Sequence, residues 1–351
     1  MNMNMHDMPM DGPSTLGNIT EYSLDWPGGL KSSTHELVIN ETNIFVTGQN
    51  MHRVAKFDYT GKLLKYFDMP AGSGPHGLLI DKAGNLWVSL EFHGQVARLD
   101  KDSGKILESV DVQIYAKGAK TPINTAPHGI GLDADGVTIW FTGKRTSTVG
   151  RINPDRSVEH FQLNNLAALP IFLYAGPDGG IWGTELFQSS ILHVSKAGVV
   201  KEYAIPTAGS RPIAIIPDPS AKCMWFTEEA GTKIGKIDMH GKITEYPVPA
   251  LQKNDILASL AFDRDNNLWV QVYADWSNPV AKTYNPPGND YIIRFDKSIR
   301  DLKGADISNV PFTTHTIPSQ MSMMHRIRMD YEGNLWFTEM MTDKLGKITL
   351  M

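Results

Sequence analysis

Apolar and polar positions alternate along most of this chain in runs of five or six residues, broken by clusters of Gly, Asp and Asn. Alternation with a period of two predicts strands, and the polar clusters predict the turns between them. The runs return in a fixed order: an apolar run that often opens with PHG, an Asp, a turn, then Leu or Ile, Trp, Phe or Val and a polar end. Copies read PHGLLIDKAGNLWVSLE (75–91), PHGIGLDADGVTIWFTG (127–143), YAGPDGGIWGTE (174–185), RPIAIIPDPSAKCMWFTE (211–228), LASLAFDRDNNLWVQ (257–271) and HRIRMDYEGNLWFTE (325–339). A worn first copy, HELVINETNIFVTG (35–48), carries Phe45 in the Trp position.

Seven units follow, marked by Phe45, Trp87, Trp140, Trp182, Trp225, Trp269 and Trp336. Each continues into a third strand such as KIGKIDM (233–239) and a fourth such as GKITEYPVP (241–249). Four short strands per unit predict an all-β fold, a seven-bladed β-propeller of four-stranded blades. The last unit stops at its third strand, KLGKITLM, whereas GNITEYSLDWP (17–27) matches a fourth strand. The N-terminal strand is therefore expected to close the last blade, giving one domain over 17–351 behind a tail of 1–16. The tryptophans are expected between blades, as core.

Composition narrows the function. Only 20% of residues are charged and the net charge is −5, with no Lys/Arg block, which speaks against a nucleic-acid partner. No apolar run reaches the length of a membrane span, and no leader-like apolar segment opens the chain. Cys223 is the single cysteine, so no intrachain disulfide forms. The expectation is a cytoplasmic protein, a monomer or weak homo-oligomer, with a small-molecule substrate.

A blade's first strand lines the central shaft and its second strand returns antiparallel. The start of the first and the end of the second share one rim, so His325 and Glu339 are expected close together. First-strand starts are His35, His76, His128, Ile171, Ile213, Ala258 and His325. Second-strand ends are Gly48, Leu90 or Glu91, Gly143, Glu185, Glu228, Val272 and Glu339. One rim thus gathers imidazoles and carboxylates, the groups of general acid–base chemistry. His325, Glu339, His76 and His128 are the candidate catalytic residues, and Glu185, Glu228, Glu339 and His35 the candidate metal ligands. Carboxylates with water would suit Mg²⁺ or Ca²⁺, and a His-rich shell Zn²⁺ or Mn²⁺; a metal-free site is the remaining alternative. Lys144 and Arg145 could meet an anionic group. Two excursions, 273–290 and 305–322, are expected over the same rim. Tyr174, Tyr273, Trp276, Tyr284 and Met323 are the candidate substrate contacts.

The composite repeat, from PHG through GNLWFTE to KIGKI, resembles the streptogramin lyases, the virginiamycin B lyase family of seven-bladed propellers. The likeness extends over roughly residues 17–351. It implies opening of a cyclic depsipeptide at its ester by elimination, with Mg²⁺ and a histidine base. The family's base matches His325 and a supporting carboxylate matches Glu339. Where the family has a second carboxylate two residues before the base, this chain has Met323; where it has a histidine in the penultimate blade, this chain has Ala258. Related gluconolactonase-like propellers hydrolyse lactones. The expected activity is therefore His-based chemistry, lyase or hydrolase, on a small ester or lactone. A non-catalytic ligand-binding or protein-interaction propeller, or an isomerase or cyclase using the same proton transfer, are the alternatives.

Overall fold

The computed structural model describes residues 14–29, 32–252, 255–275 and 290–350. Seven antiparallel sheets form a ring, six of four strands and one of five. The blades run 34–68, 75–111, 127–162, 170–204, 212–247 and 255–316, and the seventh joins 324–348 to the N-terminal strands. Ile19–Ser23 pairs antiparallel with Lys344–Ile348, from Ile19 opposite Ile348 to Ser23 opposite Lys344, so the first part of the chain closes the ring. Ser14–Leu16, inside the segment read as a tail, adds a fifth strand on the outer edge.

The repeat's Asp and Trp have one shared task. Asp81 ends a first strand and accepts the indole N–H of Trp87 across the hairpin at 2.9 Å, while its other oxygen holds the turn amides of Ala83 and Asn85. Trp140 with Asp133, Trp182 with Asp178, Trp225 with Asp218, Trp269 with Asp263 and Trp336 with Asp330 repeat the bond at 2.8–3.0 Å. The six rings are almost wholly buried. Each fills the wedge that opens between blades with distance from the shaft, and its one polar atom is satisfied.

Near the shaft a different device joins the blades. First strands leave register with second strands just after their first residue, as between Pro75 and Leu78 or Met324 and Ile327, and in blade six between Leu257 and Leu260. The backbone groups released there are taken up by a second-strand side chain. Ser89 Oγ accepts from Gly77 N at 2.7 Å and donates to the His128 carbonyl of the next blade at 3.0 Å. Thr47 does the same between Glu36 N and the His76 carbonyl, and Thr338 between Arg326 N and the His35 carbonyl. Thr142, Thr227 and Gln271 continue the relay, and Thr184 bonds the Ile213 carbonyl. Every junction in the ring is thereby bridged.

Replacing Thr47 by Val keeps the shape but strands one buried N–H and one buried carbonyl, each costing about 1–3 kcal/mol. The expected result is a lower urea midpoint at unchanged slope, equivalent to about 2 kcal/mol. A loss under about 0.5 kcal/mol would show that the relay is not structural.

Candidate functional site

The relay fixes the carbonyls of His35, His76 and His128, and these three imidazoles meet that of His325 at one end of the shaft. Ring centroids lie 5.0 Å apart for His35 and His76, 3.6 Å for His76 and His128, 5.3 Å for His35 and His325, and 5.7 Å for His76 and His325. His35 Nδ1 bonds the Ser33 carbonyl at 2.7 Å, and His128 Nδ1 the Ile171 carbonyl at 2.9 Å. Both rings donate through Nδ1 and keep a lone pair on Nε2. His76 is 1% exposed and its Nδ1 has no hydrogen-bond partner among the described residues.

Burial decides the charge of three of these rings. It pushes the His35 pKa down to about 4, with the charge of His325 adding to the effect. Burial also holds His76 and His128 well below the ordinary imidazole value, helped by neighbouring imidazoles and by Lys144. These three are neutral at pH 7. The side chain of His325 is 23% exposed and so remains within reach of a substrate.

Beside His325 stands Glu36, whose Oε1 lies 3.3 Å from His325 Nε2, within ion-pair distance although Nε2 completes no hydrogen bond among the described residues. Arg326 clamps the same carboxylate: Nε donates to Oε2 at 2.8 Å and Nη2 reaches Oε1. Its Nη1 bonds Ser259 Oγ at 3.2 Å, and the guanidinium lies 4.0 Å from the Phe172 ring centroid. Burial alone would raise the Glu36 pKa. Arg326 and His325 outweigh it and hold the carboxyl well below the usual range. Glu36 is therefore a fixed anion, and it can keep Nε2–H of His325 turned toward it.

Glu339 has a different place. Its Oε2 accepts from Thr342 at 2.6 Å, and it faces Glu21, not the imidazoles. Glu185 lies against Glu202 and Glu228 against Glu245 in the same way. Glu21 accepts from Ser319 and Lys344, Glu245 from Thr207, and Glu202 from Asn164. These three carboxyl pairs seal the seams between blades six and seven, four and five, and three and four. The expectation that Glu185, Glu228 and Glu339 join the histidines as metal ligands or orienting groups is corrected accordingly. Alternation is the reason: the residue one position further on turns to the rim instead. That position holds Gln49, Glu91, Lys144, Leu186, Glu229, Tyr273 and Met340.

Glu91 shows the difference. It takes Gln49 Nε2 at 2.7 Å and Lys144 Nζ at 3.2 Å, and burial still raises its pKa. Ligand atoms of His76, Glu91 and His128 lie within 4.8 Å of one another, the group among the described residues that could hold an ion. Two imidazoles and one carboxylate suit Zn²⁺ or Mn²⁺. They do not fit Mg²⁺, which demands oxygen ligands. Nor do Met323, a thioether, and Glu339, committed to its seam, supply such a site beside His325.

The other expected contacts are scattered. Arg145 is exposed on the rim beside Lys144. Tyr273 is buried, with its hydroxyl 3.3 Å from Glu229, and Met323 packs against the core with φ 46°. Tyr174 lies at the far end of its strand, opposite Trp182, and so at the other mouth of the shaft. Trp276 and Tyr284 fall outside the described residues. Of the second excursion, Phe312–Thr316 is the fourth strand of blade six. Residues 305–311 precede it at the opposite rim, because Phe312 pairs with Phe295, and only 317–322 lie on the histidine side.

The seam pairs set a pH dependence. Burial and a neighbouring carboxylate raise Glu185 to about 9, and Glu228 and Glu339 to about 8. A raised folded-state pKa contributes stability that is full below the ordinary value of 4.5 and is lost as pH climbs through the folded value. The buried imidazoles act oppositely but only below about pH 6.5. Stability is expected to fall between pH 7 and 9, and Glu228→Gln, which keeps a donor for Glu245, to flatten that fall in urea titrations. An equal slope in the variant would show that Glu228 ionises normally.

A model of the virginiamycin B lyase family matches residues 100–285. A virginiamycin B lyase of Nocardia farcinica (strain IFM 10152) is 28% identical over 215 residues, 50% of this chain and 70% of that protein. Among solved structures, a streptogramin B lyase superposes with a TM-score of 0.76 at 22% identity, covering 95% of this chain and 97% of the other. A virginiamycin B lyase from Staphylococcus aureus gives 0.75 at 24% identity, covering 95% and 99%. At those identities the solved structures speak to the fold.

Proposed function

Given that this chain belongs to the virginiamycin B lyase family, we propose that it opens an ester of a small, partly apolar molecule by elimination, with His325 as the base. The carrying observation is the chain Arg326–Glu36–His325, in which a clamped anion stands 3.3 Å from Nε2 of the most exposed imidazole of the four and is placed to orient it. With Nε2–H held toward Glu36, the lone pair of His325 sits on Nδ1. Nδ1 removes the proton from the carbon alpha to a carbonyl. The released pair forms a double bond to the β-carbon, whose C–O bond to the ester oxygen breaks, and the acyl part leaves as a carboxylate.

His325 ends this step as an imidazolium beside Glu36, which lowers the cost of forming it. Lys144, whose charge is felt at His35, His76 and His128, stands on the same rim to meet the negative charge developing on the carbonyl oxygen. His35, His76 and His128 stay neutral and surround the base with weakly polar walls. No part of this sequence is assigned to Mg²⁺, because the residues beside His325 do not fit it. A streptogramin B-type cyclic ester, named by the relatives, is the first substrate to try, followed by simpler lactones and esters.

The test is the product. Elimination opens a ring without changing its mass and creates a carbon–carbon double bond, whereas hydrolysis in ¹⁸O-labelled water incorporates the label. His325→Ala is expected to lower kcat by about 10² to 10⁴, and Glu36→Gln by about tenfold or more, with a shifted pH–rate profile. Labelled product, or a His325→Ala variant as fast as the parent, would refute the assignment.

A further inference from the structure

At the mouth opposite the imidazoles the shaft opens into a pocket of about 330 Å³. Its walls are mostly apolar, formed by Leu78, Ile80, Ile130, Leu132 and Phe172 among others. The one cation in the lining is Arg328. Strand alternation sends Arg326 and Arg328 to the same side. Arg326 is used up by Glu36, but Arg328 has no ion pair or hydrogen bond among the described residues, and its guanidinium lies 5.8 Å from the centroid of the Phe172 ring.

Other secluded arginines of this chain have carboxylates, as Arg300 has Asp218 and Arg326 has Glu36. Asp133 also lines the pocket, but its oxygens are taken by the Trp140 indole and the Asp135 amide. Burial and the nearby charge of Arg326 push the Arg328 pKa down, the mark of a cation short of compensation. A guanidinium without a partner in an apolar recess is costly to keep, and a bidentate carboxylate relieves that cost best. Tyr174, 40% exposed at the same mouth, offers a further hydroxyl donor.

We propose that this second mouth is a binding site for a small apolar monocarboxylate, its acid group on Arg328 and Tyr174 and its body against Leu78, Ile130 and Phe172. A single cation favours a carboxylate over a phosphate dianion. The volume lies near the lower end of ordinary ligand pockets, enough for one aromatic ring on a short acid chain. The site is independent of the proton transfer at His325, which lies at the other end of the shaft.

The probes are 3-phenylpropanoate and its neutral amide, titrated calorimetrically against the whole chain. The acid is expected to bind at least about tenfold more tightly than the amide, a difference that Arg328→Met abolishes and His325→Ala leaves intact. Should Arg328→Met fail to fold, Arg328→Lys decides, because losing the planar fork must weaken the acid and spare the amide. The proposal is overturned if acid and amide bind alike, if the acid shows no binding up to about 10 mM, or if an Arg328 variant retains the full preference.

Discussion

Seven second-strand side chains, six hydroxyls and one amide, hold the inner ends of the blades together. Each bonds a carbonyl of the neighbouring blade, and all but Thr184 also take a backbone amide of their own blade. Strands can fall out of register at the shaft only because these side chains replace the missing ladder bonds. The consequence for chemistry is direct. Three of the bridged carbonyls belong to His35, His76 and His128, which are thus held by their own backbones, and a fourth belongs to Arg326, next to His325. Preorganisation of this kind is what an acid–base site needs, since the orienting groups need no rearrangement when charge moves.

Electrostatics then divides the buried groups. The imidazoles of His35, His76 and His128 are buried into neutrality, Glu36 is held as an anion by Arg326, and the seam carboxyls keep a proton by sitting against a second carboxyl. Two carboxylates cannot hydrogen-bond each other, so a retained proton is what makes each seam pair a bond. Fixed charge is thereby concentrated along the Glu36–Arg326 clamp. The acidic residues that looked most like ligands serve the ring instead.

The blades and their closure were legible because they rest on repetition: seven equivalent segments and one displaced fourth strand leave few other architectures. The histidine rim was legible for the same reason. The carboxylates were not, because a strand reverses its face at every step and a single position separates Glu339 from the rim. Glu36 was hidden by the first-strand irregularity, where alternation gives no guidance. A signal for it does exist. Glu36 and Arg326 occupy the same repeat position, where blades two and three have Gly77 and Gly129, and ring closure makes their blades neighbours. Opposite charges at equivalent positions in adjoining repeats predict a pair.

That clamp also ties the ends of the chain to one another. Glu36 and Arg326 are 290 positions apart, and Lys344 reaches Glu21 across 323. Contacts so remote in sequence are slow to form, and until they do the third strand of the last blade presents an unpaired edge. The orienting anion and the base thus come together only when the ring shuts. A partly folded chain holds every other blade and still has no oriented base, so closure and competence are a single event.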